Sequence, residues 1–214
     1  MTATGTMRLL LFSDLHADVA AARRLVGMAA GVDLLIGAGD FGNQRRDYAT
    51  CIEILRATGK EAVLVPGNNE SAEELTGACR GWPGAHVLHG SGARVGGVTF
   101  YGLGGGVPVT PFGAWSYDLT EAAAAGLLSG CPTGCVLVSH SPPKGAADVS
   151  SRGQSIGSTA VRAAIERVSP LLVVCGHVHA SAGRQEMIDD TPVVNAGPGG
   201  IVWSLPVPHG EGIQ

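Results

Sequence analysis

Short apolar runs recur along the chain, and most of them end at a glycine or at a charged or amide residue. Apolar and polar residues do not alternate strictly in these runs, as they would in a strand buried on one face only. Continuous apolar runs are typical of strands buried on both faces. The runs predict buried strands at residues 9–13, 34–36, 62–65, 136–139 and 171–175.

Segments of helical composition separate most of these runs. Ser71 precedes one such segment with Glu74 three residues later, a capping-box pattern, and Asp18 is a possible N-cap of another. Gly31 and Gly59 each lie just past a predicted helix end. The predicted helices cover residues 17–30, 47–58, 71–79, 120–128 and 158–168.

The second half of the chain is richer in strands. Residues 94–102 alternate between apolar and polar positions, which predicts one antiparallel strand after a shorter one near 86–88. Residues 183–188, 192–196 and 201–205 are predicted to form short antiparallel strands joined by turns. Alternating strands and helices followed by strand-rich segments indicate a mixed α/β domain with two sheets covered by helices.

No repeat, linker or low-complexity segment divides the 214 residues. A chain of this length can bury a substantial core as one unit. We therefore predict a single domain over residues 1–214, with its core at about residues 7–205. The sequence indicates no particular oligomeric state.

Charge and composition exclude several classes of partner. The net charge is −4, and no stretch of lysine and arginine is dense enough to hold a long nucleic acid. No apolar run approaches the roughly 20 residues of a membrane-spanning helix. The five cysteines are an odd number without a regular spacing, Cys131 and Cys135 are predicted to be free thiols, and this usage fits a reducing cytoplasm.

Metal-binding residue types follow five of the predicted strands. Side chains two positions apart beyond a strand can turn toward the same cavity, and ligands gather beyond the carboxyl ends of such strands. Taken singly, each of these residues is more often a hydrogen-bonded turn or strand-end residue, but jointly they predict a site for two metal ions. Their nitrogen and oxygen donors, without a thiolate, favour Mn, Fe, Zn, Co or Ni over Ca or Mg. The candidate ligands are Asp14, His16, Asp40, Asn68, His140, His177 and His179.

The order of these motifs resembles that of the calcineurin-like metallophosphoesterases. The resemblance extends from residue 9 to about residue 200 and implies a four-layer αββα sandwich of two mixed β-sheets flanked by helices. It also implies hydrolysis of a phosphate ester by a hydroxide that bridges two divalent metal ions. The compact chain and its acidic balance favour a small phosphodiester or phosphomonoester over long DNA, and manganese is the expected metal in vitro. The motifs are Asp14-x-His16, Gly39-Asp40, Gly67-Asn68, His140 and Gly176-His177-x-His179.

The resemblance also divides the ligands between the two metal ions. Asp14, His16 and His179 are implied to hold the first ion. Asp40 is implied to bridge the two ions. The second ion is implied to be held by Asn68, His140 and His177.

One position departs from the family pattern. Asn69 stands where the family has a histidine that contacts the phosphate and can protonate the leaving oxygen. A carboxamide can donate a hydrogen bond to phosphate, but it cannot transfer a proton. General acid catalysis typically contributes about 10²–10⁴-fold, so we expect weakened turnover of esters with poor leaving groups. The alternative is a weakened fold that binds metal, a nucleotide or a protein partner without turnover.

Other residues could supply the missing acid. Glu70 follows directly, although an acid early in a helix is its more ordinary role. His86 and His89 could also be surface or turn residues. His209 lies in a Pro/Gly-rich tail.

Further segments could contact a substrate, each with an alternative. Residues 102–106 could bring backbone amides to a phosphate or form a turn that allows close packing. Residues 110–117 could form an aromatic wall or a patch under a loop. Lys144 could reach a phosphate or face solvent. Residues 146–157 are expected to form a mobile loop over the site.

Overall fold

Eleven strands form two mixed sheets in residues 4–208, the part of the chain that the computed structural model describes. The first sheet contains β1 (Thr4–Phe12), β2 (Leu34–Gly37), β3 (Glu61–Leu64), β4 (Ala85–Val87) and β11 (Ile201–Pro208). The second sheet contains β5 (Ser91–Val95), β6 (Val98–Leu103), β7 (Val136–Ser139), β8 (Leu172–Cys175), β9 (Gln185–Ile188) and β10 (Thr191–Asn195).

In the described part of the chain, five α-helices cover the outer faces of the sheets, and each follows a strand through a short connection or loop. Within residues 4–208, none of the helices has the length and apolar character needed to cross a membrane. They are α1 (Val19–Met28), α2 (Tyr48–Arg56), α3 (Ala72–Ala78), α4 (Glu121–Leu128) and α5 (Thr159–Val168).

The strand order places parallel strands at the centre of each sheet. The order is β11-β1-β2-β3-β4 in the first sheet, where β1 to β4 are parallel and β11 is antiparallel to β1. It is β5-β6-β7-β8-β10-β9 in the second, with antiparallel strands at both edges. Because the central strands are parallel, their carboxyl ends lie at the same end of the sheet. The loops that follow these strand ends carry the candidate ligands.

Side chains alternate between two cores along the buried strands. Leu9 and Leu11 of β1 point into the core between the sheets, together with Phe100 and Val138 of the second sheet. Leu10 and Phe12 pack in a separate cluster under α1, α2 and α3. A third cluster lies between the second sheet and helices α4 and α5. This arrangement confirms the predicted αββα sandwich.

Two details of the predicted strands were wrong. Residues 94–102 do not form one strand, because Gly96 (φ 54°) and Gly97 (φ 82°) form a turn between β5 and β6. Positive φ at both central residues is typical of a two-residue hairpin turn. The last three strands are not all antiparallel to their neighbours, since β10 runs parallel to β8.

The five cysteines are free and buried, and Cys131 and Cys135 were predicted to be free thiols. The Sγ atoms of Cys131 and Cys135 lie 3.5 Å apart beside the start of β7.

Candidate metal centre

The seven predicted ligands converge where the carboxyl ends of the two sheets meet. Loops after β1, β2 and β3 carry the ligands of the first sheet, and loops after β7 and β8 carry those of the second. Backbone hydrogen bonds connect these loops: the Asp14 amide donates to the Gly39 carbonyl, and the Gly176 amide donates to the His140 carbonyl.

Four of the residues form a compact group of oxygen and nitrogen atoms. The ligand atoms of Asp14, His16, Asp40 and His179 lie within 4.8 Å of one another. The Nε2 atoms of His16 and His179 face each other at 2.9 Å. Nε2 of His16 lies 3.6 Å from Oδ2 of Asp40, and Nε2 of His179 lies 3.6 Å from Oδ1 of Asp14. Metal–ligand bonds are about 2 Å long, so donors this close fit one cation.

A second group lies on the other side of Asp40. Oδ1 of Asn68 lies 3.0 Å from Nδ1 of His177 and 3.2 Å from Nε2 of His140. Nε2 of His140 is also 3.5 Å from Oδ1 of Asp40. One carboxylate oxygen of Asp40 therefore faces each group, which fits a carboxylate shared by two cations.

Four of the candidate ligands have unusual backbone conformations. Asp14 (φ 56°), His16 (φ 46°), Asp40 (φ 57°) and His177 (φ 64°) all adopt the left-handed region. Residues with a Cβ atom rarely adopt this region, and such strain clusters at functional sites. The amino-acid sequence carries no direct signal for these conformations.

Two glycines leave room for the ligands beside them. A Cβ atom on Gly67 would overlap Oδ1 of Asp40. A Cβ atom on Gly176 would lie 2.5 Å from Oγ of Ser13 and 2.6 Å from Oδ2 of Asp14. The glycines of these motifs are therefore needed for close approach of the backbone to the two carboxylates.

Burial and neighbouring charges shift the ionisation of the ligands. Burial works to raise the pKa of Asp14, but hydrogen bonding to His179 and the charge of His140 outweigh it and lower the pKa to about 2. Burial and the charge of His140 lower the pKa of His177 to about 4. Burial opposes the charged form of His140, yet the carboxylates of Asp40 and Asp14 raise its pKa. An ionised Asp14 and a neutral His177 are the forms that bind a cation.

Neighbouring groups fix the orientation of two ligands. Nδ1 of His140 lies 2.7 Å from the Ala38 carbonyl oxygen. Because a carbonyl only accepts, Nδ1 carries a proton, so Nε2 is the nitrogen that a cation can replace a proton on. The side-chain amide of Asn68 donates to Oγ of Ser116 at 3.1 Å, which turns Oδ1 toward His140 and His177. Such supporting contacts fix the ligating atom and its direction.

Asn69 lies beside the candidate ligands, and its side chain makes hydrogen bonds within the protein. Its side-chain amide donates to Oδ2 of Asp40 at 2.7 Å, and its side-chain oxygen accepts from the Gln44 amide at 2.7 Å. Asn69 also lines the cavity in front of the ligands. Its predicted contact with phosphate stays a prediction.

Glu70 does not lie within a helix, because α3 begins only after the N-cap Ser71. Its buried carboxylate accepts from the amides of Asp40, Gly42 and Gly67 at 2.8, 3.1 and 2.7 Å. Burial, followed by the charge of Asp40, raises the pKa of Glu70 to about 7 against the lowering effect of the Gly67 and Gly42 hydrogen bonds. Glu70 thus connects the loops that carry Asp40 and Asn68, a role that its sequence position alone did not indicate.

The histidines considered as replacement acids lie elsewhere. Nδ1 of His89 accepts from the Gly104 amide, and its Nε2 lies 3.2 Å from the Tyr117 hydroxyl. Nε2 of His86 lies 3.6 Å from Oε1 of Glu61 at the start of β3. His209 lies outside the described residues.

An aromatic wall borders the ligands, which was one of two alternatives for residues 110–117. Phe112 and Trp115 stack with ring centroids 5.9 Å apart and an interplanar angle of 11°. Both line a cavity of about 270 Å³, whose floor contains Asp40, Asn68 and His179.

The structure favours close packing for residues 102–106 and a solvent-facing position for Lys144. The Gly105 and Gly106 amides donate to the carbonyls of Pro66 and Tyr117, and a Cβ atom on Gly104 would overlap Pro66. These amides are therefore used in close packing. Nζ of the exposed Lys144 donates to the Ser155 carbonyl oxygen at 2.5 Å.

Comparison with known proteins identifies the family. The family model described as calcineurin-like phosphoesterase matches residues 7–181. The chain belongs to this family, as its motif order indicated. No curated protein matches the sequence significantly.

Solved structures with low sequence identity share the fold. TT1561 of Thermus thermophilus is 21% identical with a TM-score of 0.72, and the match covers 90% of each chain. A dimetal phosphatase from Danio rerio is 14% identical with a TM-score of 0.58, covering 88% of this chain and 86% of that one. A novel archaeal phosphodiesterase is 15% identical with a TM-score of 0.55, covering 89% of this chain and 84% of that one.

Proposed function

We propose that the protein is a phosphoesterase that hydrolyses a small phosphodiester or phosphomonoester with the help of two divalent cations. The observation that carries this proposal is the position of Asp40 between two groups of nitrogen and oxygen donors. Its Oδ2 lies 3.6 Å from Nε2 of His16, and its Oδ1 lies 3.5 Å from Nε2 of His140. A structural site would need one such group, whereas paired sites are typical of enzymes that act on phosphate esters.

The donor set supports a particular division of ligands. Asp14, His16 and His179 would hold one cation, and Asn68, His140 and His177 would hold the other, with Asp40 shared. Imidazole and carboxylate donors without a thiolate suit Mn, Fe, Zn, Co or Ni, and manganese is the first choice for assays.

When bound, two such cations would stabilise charge on the phosphoryl oxygens and lower the pKa of a water molecule. The residues of the chain contribute orientation and charge. Asp14 is kept ionised by its surroundings, and Nδ1 of His140 is kept protonated by the Ala38 carbonyl. The stacked Phe112 and Trp115 form one side of the cavity.

Asn69 limits the reaction that we propose. Its amide can orient Asp40 and can donate to a phosphate oxygen, but it cannot protonate a leaving alkoxide. Glu70 is engaged by three backbone amides and does not replace an acid at the cavity. We therefore expect turnover of activated aryl esters and weak turnover of alkyl esters.

The absent histidine also favours a second candidate, a protein that binds metal, a nucleotide or a protein partner without turnover. Both candidates require the metals, so metal analysis comes first. Purified protein is then assayed with added Mn²⁺ on p-nitrophenyl phosphate and bis(p-nitrophenyl) phosphate. Hydrolysis of either ester supports the phosphoesterase; two bound metals without hydrolysis of either ester support the binding protein, and absence of metal binding contradicts both.

The fold relatives and the thiols fit this proposal. Proteins described as a dimetal phosphatase and as a phosphodiesterase share the fold, which supports either class of ester as the substrate. Five buried free thiols support the predicted cytoplasmic location, where cysteines remain reduced.

A further inference from the structure

A second cleft leads away from the metal centre. It has a volume of about 500 Å³ and lies between residues 107–112 and residues 150–156, with His177 at its inner end. Clefts of this size are typical of small-molecule binding sites.

Exposed apolar side chains concentrate in this cleft. Among the described residues, six large hydrophobic side chains are exposed, and three of them, Val109, Phe112 and Ile156, line it. Val109 is 58% exposed and Ile156 is 43% exposed. A cluster of exposed apolar groups in a concave region indicates a binding surface, whereas single ones do not.

The walls of the cleft are held in place from outside. Oδ2 of Asp118 accepts from the amide and the hydroxyl of Thr110, at 2.8 and 2.6 Å. Oδ2 of the buried Asp148 accepts from the Gly157 amide and the Ser155 hydroxyl. Both walls are therefore anchored at Thr110 and Ser155 before a ligand arrives, which reduces the ordering cost of binding.

Its position determines what can occupy it. His177 and Phe112 line both this cleft and the smaller cavity that contains the candidate ligands. A molecule whose phosphate lies at the ligands can extend its organic group past His177 into the cleft. Among the residues that the structure describes, the only permanently charged side chain lining the cleft is Arg152, and six of the other eleven lining residues are apolar.

We propose that this cleft binds the organic group of the phosphate ester, and that it selects aryl-sized or larger apolar groups that are neutral or anionic. Small alkyl groups would leave the apolar walls exposed, and cationic groups such as amino alcohols would meet Arg152. This inference rests on the proposed function, because it assumes that the phosphate lies at the metal centre.

Binding of phosphonates tests the cleft without requiring turnover. The manganese-loaded protein is titrated with phenylphosphonate and with methylphosphonate. We expect phenylphosphonate to bind at least about tenfold more tightly. Val109→Ser and Ile156→Ser should each reduce this preference by several-fold, up to about tenfold. Both side chains are on the surface, so the fold should tolerate either change.

Met187→Ser is the matched control, because Met187 is 60% exposed on β9 and away from the cleft. It should keep the wild-type preference. A preference that is equal in all four proteins, or the absence of phenylphosphonate binding, overturns the assignment of the cleft.

A charged probe tests the role of Arg152. A phenylphosphonate with a trimethylammonium group at the para position should bind less tightly than phenylphosphonate. Arg152→Ala should reduce this difference by about threefold, the usual size for an exposed charge pair. Arg23→Ala removes an exposed arginine on α1 and should leave the difference unchanged. A difference that Arg152→Ala does not alter contradicts this part of the proposal.

Hydrolysis assays separate the cleft from the reaction. Phenyl p-nitrophenyl phosphate and methyl p-nitrophenyl phosphate release the same product, so the ratio of kcat/KM values compares the retained groups. If the cleft variants lose phenylphosphonate preference and no ester is hydrolysed, the cleft assignment stands and the phosphoesterase proposal fails. If both esters are hydrolysed with the same ratio in all four proteins, the phosphoesterase stands and the cleft assignment is overturned.

Discussion

Asn69 binds both carboxylate oxygens of Asp40. Its backbone amide donates to Oδ1 at 2.9 Å, and its side-chain amide donates to Oδ2 at 2.7 Å. The Gln44 amide donates to the side-chain oxygen of Asn69, which fixes the orientation of the carboxamide. The residue that stands in place of the family histidine thus orients the carboxylate that lies between the two ligand groups.

Asn69→His should introduce the missing proton donor. We expect kcat/KM for an alkyl phosphodiester to rise relative to that for a p-nitrophenyl diester, by up to roughly the 10²–10⁴-fold of general acid catalysis. The aryl ester serves as the internal reference because its leaving group needs no proton. Loss of the amide contact with Asp40 should lower metal affinity by about tenfold, so both assays use saturating Mn²⁺.

Asn43→His is the control for this prediction, because Asn43 lines the same cavity without contacting Asp40 through its side chain. It should leave the ratio of the two esters close to the wild-type value. An unchanged ratio in Asn69→His would show that the missing histidine does not limit turnover.

Ser116→Ala should weaken one of the two metal sites. The change removes the acceptor for the Asn68 amide, which is then free to rotate its oxygen away from His140 and His177. Supporting residues of this kind contribute about 10–100-fold to metal affinity. A calorimetric titration with Mn²⁺ should show one weakened site and one unchanged site. Ser204→Ala, an exposed serine on β11, should change neither site, and equal weakening of both sites in Ser116→Ala would contradict the division of ligands.

Gly67→Ala should disrupt the centre through a single methyl group. The added Cβ atom would overlap Oδ1 of Asp40, so this carboxylate or the loop after β3 must move. We expect loss of stoichiometric metal binding, measured by metal analysis after dialysis. Gly77→Ala is the control, since nothing lies within 4 Å of its Cβ position in α3 and alanine favours a helix by about 1 kcal/mol. Full metal content in Gly67→Ala would show that the close approach of Gly67 to Asp40 is not required.

Asp148→Asn should destabilise the protein in a pH-dependent manner. Burial works to raise the pKa of Asp148, but hydrogen bonds from Ser155, Gly145 and Gly157 outweigh it and lower the pKa below the ordinary 3.8. The stability that the carboxylate contributes is therefore present above pH 3.8 and is lost as the pH falls through the lower, folded-state pKa.

Urea unfolding at several pH values measures this effect. We expect Asp148→Asn to lower the free energy of unfolding by about 1–3 kcal/mol at pH 7, because two backbone amides and a hydroxyl lose a charged acceptor. The difference from wild type should shrink as the pH falls below 4. Asp190→Asn, an exposed carboxylate in the turn after β9, should have little effect at any pH. If the difference in unfolding free energy between Asp148→Asn and wild type does not change with pH, the lowered pKa of Asp148 in the folded protein is contradicted.

The amino-acid sequence predicted the layers, and it predicted which candidate ligands lie close together, because both depend on local patterns. Apolar runs locate β1, β2, β3, β7 and β8, and a metal-capable residue follows each of them. The hairpin between β5 and β6 was missed although Gly96-Gly97 is a turn signal, because the alternation on both sides resembled one continuous strand.

Other parts of the site could not be predicted, because they depend on contacts between distant segments. Ser116 orients Asn68 across 48 positions of sequence, and Glu70 accepts hydrogen bonds from Asp40 and Gly42 in another loop. Nothing in the residue types of Asp14 or His177 indicates a left-handed backbone. Such conformations are imposed by the surrounding structure.

The mobility of residues 146–157 stays a prediction. Their position is consistent with the expectation, since Ser150, Gln154 and Ile156 line the cleft beside His177. Hydrogen bonds to Asp148 and between Ser181 and Val149 fasten the base of this segment. Ser155 and Ile156 are also bonded to Asp148, so any movement should concentrate between residues 150 and 154.

The central claim is that Asp40 is shared between two cations held by different residues. Calorimetric titration with Mn²⁺ of the metal-free protein tests it most directly, with His179→Ala and His140→Ala as variants on opposite sides of Asp40. We expect two bound ions per chain in the wild type and one in each histidine variant. Asp40→Ala should bind neither ion at stoichiometric concentrations. One ion in the wild type, or two ions with unchanged affinity in both histidine variants, would contradict the account.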